Sequence, residues 1–559
     1  MIKTINLTNT ETKITELGGD NTEIINNSSG IVYASKMPNI TVGGDDVIAI
    51  PAGSIDGLYG THGTVYILGS GSVELRGVDH HIAKTRGQAA TDISGTGVSA
   101  SYVDEKCSEI LKNANAYTDI KNSEVVVSVK EYTDEKNAQT LDSVKKYADS
   151  LNAELAGFIG YTDSDIYGLE ADFENCVFTR LAGAVGKNAG ADFDSVNAYG
   201  GRRRCNLSDD GEVLAYYGDE NFKADGSNGQ VMVEQPKFYY RVVPLKTEKI
   251  DKADGYHLRK ARYYISDTPK AGFKVHPAFV RNDVEVDKIY LSAFEGCIYD
   301  TSAEIYLLED EQIADFDNDK LSSIADAKPC SGTSQRLTRA NARKLARNRG
   351  SGWTQWTAQA SSVTQLLFII EYAAFDAQRE IGMGITSKTD DGKSNLAEKT
   401  GMTLSVENRS GSVLSGSVSF RGEENIWGNI WTWVDGINVN NPTDFSVEKS
   451  GRFFVGNPVC DNEIFTDTNI PSLYGNGAVS AFGYSEKFDW LFLPTELKGN
   501  TTLPVGDFCW NINKNGMAAV LGGYWCENDR SGIFYWLFNY APANNVRAVG
   551  ARLVYYPIK

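Results

Sequence analysis

Histidine and cysteine, which supply most catalytic and metal chemistry, are scarce: five His and eight Cys in 559 residues. The cysteines, at 107, 176, 205, 297, 330, 460, 509 and 526, form no CxxC and no metal-ligand spacing. No zinc site or redox pair is therefore expected, and the thiols read as reduced ones in a protein assembled in a cytoplasm. Cys509 and Cys526 are near enough in sequence to pair, but reduced thiols are expected there too. No run of eighteen apolar residues exists, which argues against a spanning helix and against membrane insertion. The N-terminal stretch MIKTINLTNTETKITELGG lacks an apolar segment and a lipobox-like Cys, so no secretion signal or lipid anchor is expected. Lys and Arg number 54 against 73 Asp and Glu, a net charge of −19, whereas nucleic acid binding requires a basic footprint. What is ample is hydrophobic content, 41%, with 11% aromatics, enough for several packed domains.

Residues 1–85 read as a small β attachment domain. Short β-branched runs at Thr22–Ile25, Ile31–Ala34, Val47–Pro51, Thr64–Leu68 and Ser72–Leu75 are punctuated by Gly, Asn, Asp and Pro. His80-His81 is the one His pair, and adjacent side chains diverge, so a solvated pair is expected rather than a metal site. Residues 86–101, rich in Gly, Ser, Thr and Ala, read as a linker.

Residues 102–159 are a repeat. Tyr102, Tyr117, Tyr132 and Tyr147 stand fifteen apart. Aligned on them, one stripe runs through Val103/Thr118/Thr133/Ala148, Cys107/Asn122/Asn137/Asn152, Leu111/Val126/Leu141/Ala156 and Ala114/Val129/Val144/Ile159. Steps of 4, 4, 3 and 4 make four turns of fifteen residues, and a period above 3.6 predicts a straight or right-handed supercoil. So narrow a seam is buried only by copies of itself, and its Asn layers suit register control.

After Gly157 the repeat ends; residues 160–225 read as a β-rich connecting segment and 226–559 as a globular head. Tyr199–Cys205 (YGGRRRC) is expected to be a solvated turn rather than an anion site, and His276 a structural residue. Helices are expected over Arg339–Arg349, closed by Gly350-Ser351-Gly352, and over Val363–Ile381, where Val363, Leu366, Leu367, Ile370, Ala374, Ala377 and Ile381 make a buried face. Glu371 within that face needs a partner, expected to be an Arg of the preceding helix. Phe420–Asn438 sets Trp427, Trp431 and Trp433 beside Glu423, Glu424 and Asp435. Paired acids among indoles suggest a glycosidase, but neighbouring carboxylates point apart and the indoles read as core.

The chain closes on GMAAVLGGYWCENDRSGIFYWLFNYAPANNVRAVGARLVYYPIK, Gly516–Lys559. Apolar patches at Ala518–Leu521, Ile533–Phe538 and Leu553–Tyr556 read as strands. The polar segments Cys526–Ser531 and Ala541–Ala548 read as exposed loops. Rigid aromatics beside Asn, Asp and Arg are the chemistry of a recognition surface. The frame Gly522-Gly523-x-Trp525, Gly532-x-Phe534-Tyr535, Asn539-x-Ala541-Pro542 and Gly550-Ala551-Arg552-Leu553 resembles the variable region of diversity-generating retroelement target proteins. In that family the frame lies on a C-type-lectin fold and adenine-directed mutagenesis diversifies the residues between. The resemblance implies a variable face of Tyr524, Cys526, Asn528, Asp529, Arg530, Leu537, Tyr540, Asn544, Asn545, Val546 and Arg547. Glu527 cannot arise from a mutagenised Asn codon but lies among them and is counted with the face.

Val231–Arg241, Gly272–Arg281 and Val286–Gly296 add a resemblance to phage tail proteins with lectin-like tips, a fold related to formylglycine-generating enzymes. Together these imply a multidomain fibre: a small all-β domain, a coiled-coil stalk and an α+β C-type-lectin-like head. The implied function is a virion tail adhesin that binds a host bacterial surface protein or glycan without catalysis, cofactor or metal. It would be a homotrimer docked on other tail proteins through its N-terminal domain. A polysaccharide-degrading tail protein and a purely structural fibre are the alternatives.

Overall fold

The computed structural model describes residues 2–79, 100–251, 253–281, 283–332, 336–406, 410–440, 451–456 and 465–558. His80-His81, Cys460 and residues 86–99 of the linker lie outside them, as do the side chains of Tyr102 and Val103. The chain is mostly β, in several sheets, with one long helix, and divides into two compact units, Met1–Tyr132 and Thr133–Lys559.

In the first unit two four-stranded antiparallel sheets face a common core. One runs Ile2–Thr8, Ser70–Val78, Asn21–Asn26, Ile55–Leu58; the other Thr12–Ile14, Val65–Leu68, Val32–Ser35, Val47–Ile50. Strand Asn21–Asn26 shows the alternation that drives this, with Thr22, Ile24 and Asn26 inward. The buried Asn26 amide closes the following turn, donating to Gly30 O and Ile50 O at 2.8 Å each while its oxygen accepts from Ser28 N at 2.9 Å.

The fifteen-residue repeats form one helix, Ala100–Ile159, of 60 residues. Along its seam Leu111, Val126, Leu141 and Val144 are 58–70% exposed. At its end Arg262 Nη1 donates to Gly157 O and Phe158 O at 3.1 and 2.8 Å, satisfying carbonyls that the last turn leaves without an intrahelical donor.

Three large sheets build the rest of the second unit. Ile166–Asp172 pairs along its length with Tyr256–Ser266, so the stretch 160–225 shares a sheet with a strand of the head. The buried helix Ala358–Tyr372 contributes to a core shared with that sheet and with an eight-stranded one. It starts earlier than its apolar pattern predicts because Thr357 Oγ1 accepts from Ala360 N at 3.1 Å as an N-cap. It also stops earlier: Ala373 turns left-handed (φ 52°), Phe375 drops into the core, and Asp376 caps a separate short helix, Ala377–Glu380. Helix Arg339–Arg347, capped by Thr338, ends two residues before the expected bound.

Two electrostatic expectations are corrected. Glu371 pairs not with the preceding helix but with Arg421, whose Nη2 and Nε reach its carboxylate at 2.6 and 3.0 Å. Tyr199–Cys205 is not a solvated turn. Strand Arg203–Leu207 lies inside a sheet, Arg202 is buried against Glu423, and buried Arg204 donates to Gly422 O and Thr403 O at 2.9 and 2.8 Å.

Glu295 is buried beneath the head's framework, accepting from the side-chain amides of Asn429 and Asn425 at 3.0 and 3.2 Å. Burial outweighs the nearby Arg552 guanidinium and pushes the carboxyl up to about 8. A raised folded value means the folded state holds a proton the unfolded chain releases. This contribution is therefore complete below the ordinary value of 4.5 and is lost as pH rises through about 8. Melting curves across that window should show stability falling, and Glu295→Gln should flatten the fall; equal slopes would contradict it.

Candidate functional site

The site is built on strand Gly532–Tyr540, which pairs antiparallel with Met517–Gly522 and parallel with Phe508–Asn511 in the eight-stranded sheet. Its alternation serves two cores. Phe534, Trp536 and Phe538 join the large one, while Tyr535 and Leu537 face a smaller one with Trp431, Trp433, Val520 and Trp525. Val520 pairs with Leu537 but Ala518 with Tyr540, so the strand carries an extra residue there. That bulge returns Tyr540 to the side of Leu537.

Two loops lie over this smaller core. The first, 523–531, opens at Gly522 and Gly523, both at positive φ (105° and 88°), and a Cβ on Gly523 would stand 2.2 Å from Ser531 Oγ. Only glycine lets the loop close there. Trp525 is fully buried, whereas Tyr524 is half-buried, edge-on to Trp525 at 5.0 Å and stacked near Trp431 at 6.5 Å. Cys526 and Glu527 are half-buried, and Asn528, Asp529 and Arg530 are exposed. Burial pushes the Glu527 carboxyl up; it accepts from Tyr535 OH at 3.3 Å and faces Arg530 at 3.8 Å. The Arg530 guanidinium lies 5.4 Å over the Phe508 ring.

The second loop, 541–548, is turned by Asn544, whose side-chain oxygen accepts from Ala541 N at 2.7 Å. Asn544 and Asn545 are exposed; Tyr540, Val546 and Arg547 are half-buried. Arg547 lies 5.4 Å over the Trp525 indole and pairs with Asp390 at 2.5 Å. The structure thus gathers Tyr524, Cys526–Arg530, Tyr540 and Asn544–Arg547 around one sheet face. Leu537 departs from the expected face. At 3% exposure it is the floor beneath the loops, because strand alternation turns it inward with Tyr535.

The residues between are framework. Trp525 and Arg552 are fully buried, and a Cβ on Gly550 would meet Cys330 O at 2.9 Å. Sequence reasoning missed three neighbours. Asp390 is distant in sequence and gives no local signal. Phe508 and Trp510 lie on the adjoining strand, where Trp510 pairs with Leu537. Eight of the nine indoles are at most 5% exposed, but Trp510 is 41% exposed, a contrast no residue pattern announces.

The residues a catalytic reading would choose are committed elsewhere. Glu423 accepts from Thr364 Oγ1 at 2.6 Å and pairs with Arg202; Glu424 accepts from Gly401 N and Thr403 N at 2.7 and 2.6 Å. His276 is buried, held near Ser362 Oγ at 3.1 Å, and burial lowers it to about 3, leaving it neutral. Among the described residues no three His, Cys, Asp or Glu converge as metal ligands, and no helix is long and apolar enough to cross a membrane.

No family model and no curated protein matches the chain. Solved structures of the P3c, I1 and U1 variants of a protein named Major Tropism Determinant align with it at a TM-score of 0.22 and 12, 11 and 12% identity. Each alignment covers 63% of this chain and 71% of the other. A likeness at that score says nothing by itself about fold or function.

Proposed function

We propose that the chain is a receptor-binding protein of a bacteriophage tail, with a C-type-lectin-like head whose variable face recognises a host bacterial surface protein or glycan. One observation carries the reading. Along Gly516–Lys559 the framework residues Gly522, Gly523, Trp525, Gly532, Phe534, Tyr535 and Gly550–Leu553 are buried and Asn539, Ala541 and Pro542 half-buried, while the residues of the variable set, Leu537 excepted, are exposed or half-buried on two adjacent loops and at the strand end Tyr540. A surface built this way binds without making or breaking bonds. In this reading residues 1–85 attach to other tail proteins and 102–159 form the stalk of a homotrimer, so several faces act together and raise weak single-site affinity.

Loop substitutions test the face. Asn528→Gly, which keeps the left-handed backbone at that position (φ 52°), with Asp529→Ala and Asn545→Ala in the full chain, should change adsorption to host cells while shifting stability by no more than about 0.5 kcal/mol. Leu537→Asp should lower the melting temperature instead. Unfolding by the three loop changes, or adsorption indifferent to all of them, refutes the face. A near-copy of the gene's last segment in the flanking DNA, differing only at adenines, would name the variable codons directly.

The stalk has its own test. Light scattering should give three times the 61.1 kDa chain mass, and Val126→Asp with Leu141→Asp should return the mass to one chain. A single-chain mass for the unaltered protein at every concentration refutes the homotrimer.

A further inference from the structure

Segment 386–398 runs alongside both variable loops, and its contacts divide by kind. At its start, Thr386 O accepts from Asn528 N at 2.8 Å and Lys388 N donates to Trp525 O at 2.7 Å, backbone contacts that persist whatever side chains the loops carry. At its end, the Asn395 amide donates to Pro329 O at 2.8 Å and Asp310 Oδ2 at 2.9 Å, and Glu398 N donates to Asn429 Oδ1 at 2.7 Å; all of these partners lie outside the variable set. The tip between is different. Asp391 folds it locally, accepting from Lys393 N and Ser394 N at 2.8 Å each. Its ties to the face are side-chain ones: Arg547 Nη2 to Asp390 Oδ2 at 2.5 Å, Arg547 Nη1 to Ser394 O at 2.9 Å, and a long Trp525 Nε1 contact to Asp390 Oδ1 at 3.3 Å.

We propose that the tip 390–394 is a third wall of the recognition face, with Asp390 as its positioning residue, latched by whichever side chain occupies position 547. The inference rests on the receptor-binding reading for its purpose, though not for its test. With Arg547 the latch is shut: the guanidinium neutralises Asp390, stacks over Trp525, and holds the tip against the second loop. With an uncharged residue at 547 the Arg547 contacts vanish, its 4.0 Å approach to Asp391 included. The ends of the segment stay fixed while the tip is released, and the Asp390 carboxylate turns from an internal partner into a group offered to the ligand. A change at one codon then alters the face twice, once at 547 itself and once through residues 390–394. Faces with an uncharged residue at 547 should favour ligands presenting an amine or guanidinium, and faces with Arg at 547 neutral ones.

Backbone hydrogen exchange on the full chain decides this without a ligand. Arg547→Asn should speed exchange at 390–394 at least tenfold and leave strand Met517–Gly522 unchanged. Asp390→Asn should do the same, and the exchanged pair Asp390→Arg with Arg547→Asp should restore slow exchange. Unchanged exchange at the tip in both single variants overturns the latch, as does a rise spread evenly over the head, which would signal general destabilisation. Failure of the recognition reading shows separately, as adsorption that no loop substitution alters.

Discussion

Arg552→Ala is expected to remove the cooperative melting of the head. The guanidinium is fully buried and donates to Glu424 O at 2.8 Å and Ser292 O at 3.0 Å, with Asn425 O and Ala293 O at 3.5 and 3.4 Å. It therefore joins a strand of the six-stranded sheet to the Glu423–Asn425 corner and also lies near buried Glu295. Alanine leaves those buried carbonyls without their donor. Leaving several buried carbonyls unsatisfied costs about 1–3 kcal/mol each, a large part of the about 5–15 kcal/mol that holds a domain. Melting followed by near-ultraviolet circular dichroism should fall by about 10 °C or more, or vanish. The long helix should keep its far-ultraviolet signal. A melt within about 2 °C of the parent would show that Arg552 is not framework.

Glu371→Leu is the second large effect. Arg421 is 1% exposed and its guanidinium is held by Glu371 in the buried helix, by Asp194 at 2.6 Å, and by Gly190 O at 3.1 Å. Asp194 is more than half exposed and screened by water, so it replaces little of the lost counter-charge. A loss of about 3 kcal/mol is expected. Adding Arg421→Met should recover most of it, because an apolar pair of similar volume removes both charges together. A double variant no more stable than Glu371→Leu would mean that packing, not charge, dominates there.

The sequence shows best what depends on local pattern. The five β-branched runs of the first eighty-five residues appear within a few residues of strands Asn21–Asn26, Val32–Ser35, Val47–Ile50, Val65–Leu68 and Ser70–Val78. The repeat is helical throughout, since period and propensity agree. Ile2–Thr8, with Thr and Asn outward, and the short Thr12–Ile14 and Ile55–Leu58 carry too little apolar signal to be read. The helix expected over Val363–Ile381 fails at a local rule overridden by packing: its apolar spacing continues past Tyr372, but Phe375 and the Asp376 cap end it. Arg202, Arg204 and the Glu371 partner were illegible for another reason. Charged residues read as exposed until residues 50 to 221 positions away supply partners, and no periodicity encodes such distances.

At the site, frame and loops were legible, because glycines and buried aromatics have fixed spacing. Leu537 was misassigned because the codon argument selects residue types without regard to which side of a strand they face. Asp390 was invisible because its role exists only once Arg547 and Trp525 are folded against it.

The alternation of strand Gly532–Tyr540 has a consequence for inheritance. Its large core, through Phe534, Trp536 and Phe538, lies on the side of the sheet away from the variable loops. The residues beneath the loops belong to a separate, smaller cluster. The apolar packing that changes in the loops can disturb is thus mainly that of the smaller cluster, and the large core lies apart from them. On the proposed reading a lineage could sample many surfaces on one scaffold with few offspring lost to misfolding, and Leu537 is the position where that freedom should run out first.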